Sequence, residues 1–134
     1  MRSWDQLIAA AADVRARAYA PYSSFRVGAA LRTADGAVFT GCNVENRSFG
    51  LALCAERAAL AAMVAAGRRE PEALVVVTGI DPPAAPCGLC REALAEFAPD
   101  LPILLVSEQG TRREVRLAEL LPDRFQLPPS TQRG

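Results

Sequence analysis

Histidine is absent from the 134 residues, which removes the commonest general base and the commonest metal ligand at once. Acid/base chemistry then falls to carboxylates, tyrosine or cysteine, and any zinc site has to be built from thiolates and carboxylates. Net charge is absent too: 15 basic side chains balance 15 acidic ones. No overall field draws in a phosphate backbone or an anionic membrane, so a nucleic-acid polymer is a disfavoured partner. Nowhere does an apolar run approach the roughly 20 residues needed to span a bilayer. The opening stretch from Met1 to Ala20 sets Asp5 and Asp13 among its alanines, unlike a secretory leader. The expectation is a cytoplasmic, soluble protein with no membrane partner.

Half of the chain is apolar, at 51%, enough for a core without disulfide staples, and the expected organisation is one domain over residues 1–134. Its core is expected over about residues 3–125, with a frayed tail from Pro128 to Gly134. The cysteines are Cys42, Cys54, Cys87 and Cys90. In a small protein of a reducing compartment such residues serve metals more often than disulfides, and three of them are expected to be ligands.

Local patterns predict the elements. Ser3 as a cap, Gln6 in a capping box, and Trp4, Leu7, Ile8, Ala11 and Val14 at helical spacing predict a first helix to about Ala18. After Pro21, Phe25 to Thr33 and Val38 to Cys42 read as a hairpin closed by Ala34-Asp35-Gly36. Cys54 to Ala66 consists of helix formers and ends at Gly67. The uninterrupted Leu74-Val75-Val76-Val77 within Ala73 to Thr78 predicts a strand buried on both faces at the sheet centre. A helix from about Gly88 to Phe97, a strand at Ile103 to Val106, a short strand near Glu114 to Arg116 and a helical turn around Ala118 to Leu121 complete the body. The alternation predicts a three-layer α/β/α sandwich around a mixed, five-stranded sheet.

The chemistry concentrates in Pro86-Cys87-Gly88-Leu89-Cys90 and Cys54-Ala55-Glu56. A lone CxxC is weak evidence: a zinc-ribbon knuckle, a redox pair and coincidence all produce it. Here each cysteine group falls at a predicted helix N-terminus, where free N–H groups and the helix dipole favour the thiolate that binds metal. Three thiolates leave one corner of a tetrahedron open, the mark of catalytic rather than structural zinc. Glu56, two residues beyond Cys54, is placed to act as a general base without ligating. Arg57 is placed to offset the excess negative charge of three thiolates on a divalent ion.

These two segments resemble the signature of the zinc-dependent nucleoside and nucleobase deaminases. The likeness extends to Ala20-Pro21-Tyr22-Ser23-Ser24-Phe25-Arg26-Val27-Gly28-Ala29-Ala30 and to Gly41-Cys42-Asn43-Val44-Glu45-Asn46. Together these segments are similar to the small, homotetrameric cytidine deaminases, over roughly Ala18 to Leu121. The resemblance implies hydrolysis of cytidine and deoxycytidine to uridine and deoxyuridine with release of ammonia, as in pyrimidine salvage. It implies zinc on Cys54, Cys87 and Cys90, attack at C4 by a zinc-bound hydroxide, and Glu56 as proton shuttle to N3 and the amine. It further implies that Asn43 and Glu45 hold the ribose hydroxyls, that Phe25 packs against the pyrimidine, that Val44 points the other way, and that the sites lie near subunit interfaces of a homotetramer. Phe49 and Arg47 depart from the pattern, standing where many relatives have tyrosine and a small residue. Cys42 reads as a small buried apolar residue.

Three other functions use part of this pattern. A structural zinc module needs the cysteines and has no use for Glu56. A deaminase of an aminonucleoside antibiotic shares the whole centre, although Asn43 and Glu45 favour an ordinary ribose. A polynucleotide editor needs the basic groove and stacking aromatics that the charge balance argues against.

Overall fold

The computed structural model describes residues 3–128; the expected tail beyond Pro128 lies outside them. The described part is built on a five-stranded sheet. Its strands are β1 (Gly28–Thr33), β2 (Val38–Cys42), β3 (Pro71–Thr78), β4 (Pro102–Ser107) and β5 (Arg112–Arg116), in the order β2-β1-β3-β4-β5. β1 pairs antiparallel with both β2 and β3, β3 pairs parallel with β4, and β5 returns antiparallel to β4. The helices are α1 (Asp5–Arg15), α2 (Ala55–Ala65), α3 (Gly88–Ala95) and α4 (Leu117–Leu120).

β3 is the central strand, as its continuous apolar run predicts, and its alternate residues feed two cores. Leu74 and Val76 join Ala29, Leu31, Ile103 and Leu105 beneath Ala59, Leu60 and Met63 of α2 and Leu94 of α3. Val75 and Val77 join Ala30, Leu104 and Val106 beneath Leu7 and Ala11 of α1. The period-2 alternation of a strand thus divides one sequence run between the two helical layers, and the three-layer mixed fold follows.

Glycine sets how closely the layers approach. A Cβ on Gly28 would collide with the backbone oxygen of Ala11 in α1, and one on Gly41 would collide with Ala59 and Ala55 of α2. Helix backbone therefore lies directly on strand backbone at both places, which the alanine-rich helices permit.

Several boundaries differ from expectation. α1 stops at Arg15 rather than Ala18, because Ala16 and Arg17 close the helix with tighter bonds to Asp13 and Val14 carbonyls. Its N-cap is Trp4, with no side-chain cap bond; Ser3 sits one residue earlier and accepts the Asp5 N–H at 3.0 Å. β1 begins at Gly28, three residues after the expected Phe25, because Phe25 and Val27 bond to the Asn43 side chain instead of a neighbouring strand. α3 ends at Ala95 rather than Phe97, and β5 begins two residues before Glu114. The hairpin strand at Val38–Cys42 falls where predicted, and so does Gly67, left-handed at φ 86° after α2.

Candidate active site

One end of the sheet gathers the chemistry. Gly28, where β1 begins, lies opposite Cys42, where β2 ends, and also opposite Val77, next to the last residue of β3. The segments flanking these three points, residues 25–27, 43–54 and 78–87, therefore converge on one edge. α2 starts there at its N-cap, Cys54, and α3 starts there at its N-cap, Cys87.

The three predicted cysteines meet. The sulfurs of Cys54 and Cys87 are 3.7 Å apart, and those of Cys87 and Cys90 are 3.5 Å apart. A tetrahedral zinc with Zn–S bonds of about 2.3 Å sets its sulfurs about 3.8 Å apart, so the donor set and its spacing fit zinc with one position open. Cys42 is not part of this cluster; it is partly buried and free.

Electrostatics prepares the thiols. Cys54 is pulled down to about 5, first by its hydrogen bond with Cys90, then by Arg57 and Cys87, against the opposing effect of burial. Cys90 is pushed up by the same partner, Cys54, and by its own burial. In the metal-free cluster the negative charge thus settles on Cys54. That is where Arg57 lies: its Nη2 is 3.6 Å from the Cys54 sulfur and donates to the Ala52 carbonyl at 3.4 Å.

Glu56 occupies the first turn of α2, is 5% exposed and helps line a cavity of about 170 Å³. Burial raises its carboxyl to about 7, and the nearby Cys54 charge adds to the effect. The other walls are Phe25, Val27, Asn43, Cys54, Ala55, Val76, Thr78, Ala84, Ala85 and Cys87. A carboxyl near neutrality, beside a three-cysteine cluster and a cavity, is suited to both accepting and giving a proton at physiological pH.

Asn43 lines this cavity, and its amide also braces it. Its Oδ1 accepts the Val27 N–H at 2.9 Å and its Nδ2 donates to the Phe25 carbonyl at 2.8 Å, leaving one N–H free. Glu45 stands apart from this cavity, in an adjoining depression with Tyr22, Ser23, Asn46, Phe49 and Ala52. Its carboxylate accepts the Tyr22 N–H at 2.9 Å, the Ser23 N–H at 3.1 Å and the Ser23 hydroxyl. The Ser23 hydroxyl, foremost, holds it below the usual carboxylate range. Phe49 is 77% exposed and meets Tyr22 edge-on, with ring centroids 6.1 Å apart. Arg47 is exposed, and so is Val44, which stands outside the cavity wall.

Sequence reasoning passed over two contributors. Arg91 of α3 donates from Nε to the Pro86 carbonyl at 2.7 Å and from Nη1 to the Leu120 carbonyl at 2.9 Å, tying the residue before Cys87 to α4. Its place directly after Cys90 was the available signal. Thr78, at the end of β3, reads from sequence only as the last residue of a buried strand.

This combination of a thiolate cluster with an open position, a buried carboxylate and a cavity beside them defines a zinc-dependent hydrolase of the deaminase class. Residues 1–105 match the family model of the cytidine and deoxycytidylate deaminase zinc-binding region. The chain is 47% identical over 120 residues to a cytidine deaminase of Halalkalibacterium halodurans, covering 89% of this chain and 91% of that one. Its structure is similar to that of a cytidine deaminase from Burkholderia pseudomallei, with a TM-score of 0.89 and 50% identity over 92% of this chain and 100% of that one. A cytidine deaminase from Mycobacterium tuberculosis gives a TM-score of 0.82 at 43% identity, over 95% of this chain and 100% of that one. The chain belongs to the cytidine and deoxycytidylate deaminase family, and its cofactor is zinc.

Proposed function

We propose that this chain hydrolyses cytidine and deoxycytidine to uridine and deoxyuridine, releasing ammonia. The observation that carries the reading is the buried Glu56 carboxyl, raised to about 7, on the same helical turn as one thiol of a three-cysteine cluster and lining the cavity beside it.

In this reading Cys54, Cys87 and Cys90 hold the zinc, which supplies a water of lowered pKa and an electrophilic centre when bound. Glu56 takes one proton from the attacking water and passes it to N3 of the base, then takes the remaining proton from the hydroxyl on C4, which becomes the carbonyl, and delivers it to N4. Oxygen is added at C4, the C4–N4 bond breaks, and nitrogen leaves as ammonia. A carboxyl near neutrality moves protons in both directions at little cost. Arg57 balances the charge of the thiolates. Phe25 offers its ring to the pyrimidine.

Asn43 and Glu45 hold the ribose hydroxyls. The free N–H of Asn43 is available for this, and so is the acceptor capacity that the Glu45 carboxylate retains beyond its three donors. The chain acts as one domain, as a cytoplasmic enzyme of pyrimidine salvage, and as a homotetramer with its sites near subunit interfaces. The exposed Tyr22, Phe49 and Leu51 beside the Glu45 depression support that assembly.

The test is ammonia release from cytidine by purified protein, with zinc measured on the same sample. Turnover in proportion to zinc content is expected. A fully zinc-loaded protein that releases no ammonia from cytidine or deoxycytidine would overturn the reading.

A further inference from the structure

Among the described residues, three buried side-chain polar atoms have no hydrogen-bond partner: Arg32 Nη2, Arg57 Nε and Thr78 Oγ1. Arg32 lies away from the site, where Nε meets Glu72 at 2.8 Å and Nη1 donates to the Ser3 carbonyl at 3.1 Å. Arg57 already serves the thiol cluster. Thr78 alone of the three belongs to the wall of the active-site cavity.

Its place is rigid. Thr78 is the last residue of β3 and lies opposite Ser107 of β4, and its carbonyl accepts the Glu108 N–H at 2.8 Å. Strand alternation puts its side chain on the same face as Val76, under α2, and both residues line the cavity. At 1% exposed, the side chain has no access to bulk water.

An uncompensated hydroxyl in such a place is costly, and a valine of the same shape would remove the cost. The surrounding wall is largely apolar, comprising Phe25, Val27, Val76, Ala84 and Ala85. Its other polar side chains have uses already: Asn43 braces residues 25–27, Glu56 carries protons and the thiols meet the metal. Because Oγ1 has no hydrogen bond within the fold, none has to break when the hydroxyl takes a partner from the cavity.

We propose that Thr78 is a substrate-contacting specificity residue, whose hydroxyl gains its missing partner only when the polar edge of a pyrimidine base fills the cavity. The inference rests on the deaminase reading above and adds a recognition group to it. Because the contact is made to the bound base, its loss weakens binding of substrate and product alike and falls mainly on KM.

Thr78→Val and Thr78→Ser, compared with the unaltered protein, test it. For Thr78→Val we expect kcat/KM for cytidine and affinity for uridine to fall roughly ten- to a hundredfold, with a melting temperature unchanged or raised. Thr78→Ser keeps the hydroxyl and is expected to retain kcat/KM within about threefold. Unchanged kinetics and uridine affinity in Thr78→Val would overturn the inference. So would a lowered melting temperature in that variant, because the hydroxyl would then have a partner within the fold. An unaltered, zinc-loaded protein that fails to deaminate cytidine would remove the functional reading itself, a result distinguishable from either.

Discussion

Asn43 holds Phe25 by its backbone: the amide Nδ2 of the one donates to the carbonyl of the other at 2.8 Å, while Oδ1 receives the Val27 N–H at 2.9 Å. The side chain to which the family resemblance gives a sugar-binding role is therefore also a clamp on the backbone that carries the Phe25 ring into the cavity wall. Ser24, directly before Phe25, takes a left-handed backbone at φ 59°, so the ring's position depends on a turn that a non-glycine residue adopts reluctantly.

Asn43→Ala is expected to lose both bonds, lowering stability by about 1–3 kcal/mol, and to reduce kcat/KM for cytidine by roughly ten- to a hundredfold. Glu45→Ala is expected to reduce kcat/KM similarly while zinc content holds. Urea unfolding, zinc analysis and steady-state kinetics on both variants check this. Unchanged kinetics in both would show that the sugar is held elsewhere.

Glu56→Gln is expected to keep zinc and fold and to lose at least about 10²–10⁴-fold in turnover, since the amide has nearly the same shape and cannot accept the water proton. Cys87→Ala is expected to lose the metal instead, and with it the tie between two helix ends. Zinc stoichiometry, melting temperature and cytidine turnover, measured side by side, separate the two.

The same carboxyl predicts a pH dependence in the metal-free protein. Raised from 4.5 to about 7 by burial, Glu56 binds its proton more tightly folded than unfolded. Its contribution to stability is therefore full below pH 4.5 and falls as pH rises toward 7, by at most about 3 kcal/mol. Denaturant unfolding of the metal-free wild type against Glu56→Gln, from pH 4 to 8, is expected to show the variant gaining on the wild type across that window. Parallel curves would show that the carboxyl is hydrated.

Arg91→Ala is expected to weaken zinc binding by about 10- to 100-fold, because the Pro86 carbonyl and the start of α3 lose their brace to α4. Competition with a chelator measures it. An unchanged zinc affinity would reduce Arg91 to a contact between α3 and α4.

Leu51, 71% exposed beside Phe49, is expected to be covered in the proposed tetramer. Sedimentation equilibrium at micromolar concentration should return a tetramer for the wild type and smaller species for Leu51→Glu, whose carboxylate would be buried without a partner. A fully active wild-type monomer would dismiss the assembly.

Much of this molecule was legible in one dimension. The apolar run of β3, the hairpin ending at Cys42, the helix from Cys54 to Gly67 and the alternation of strand and helix depend on neighbours within a few residues, and local periodicity reports them faithfully. The metal chemistry was legible for a related reason. Without histidine, thiolates at helix starts were almost the only route to a zinc centre, and Cys54-Ala55-Glu56 and Cys87 to Cys90 carry their geometry in their spacing. The ends of α1 and β1 were misjudged because a tighter last turn and a side-chain clamp, rather than propensity, decide them.

What the sequence alone determined was thus the element order and the three cysteines of the metal cluster, both matters of short-range pattern. Only the tertiary structure decided that Cys54 and Cys87, 33 positions apart, come within 3.7 Å, that Glu45 is held by Tyr22 and Ser23, and that Thr78 keeps an unpartnered hydroxyl in the cavity wall. Each of these depends on where antiparallel and parallel pairing brings distant strand ends together. Burial, partner and charge at such a place belong to the packed layers and have no counterpart in any short stretch of chain.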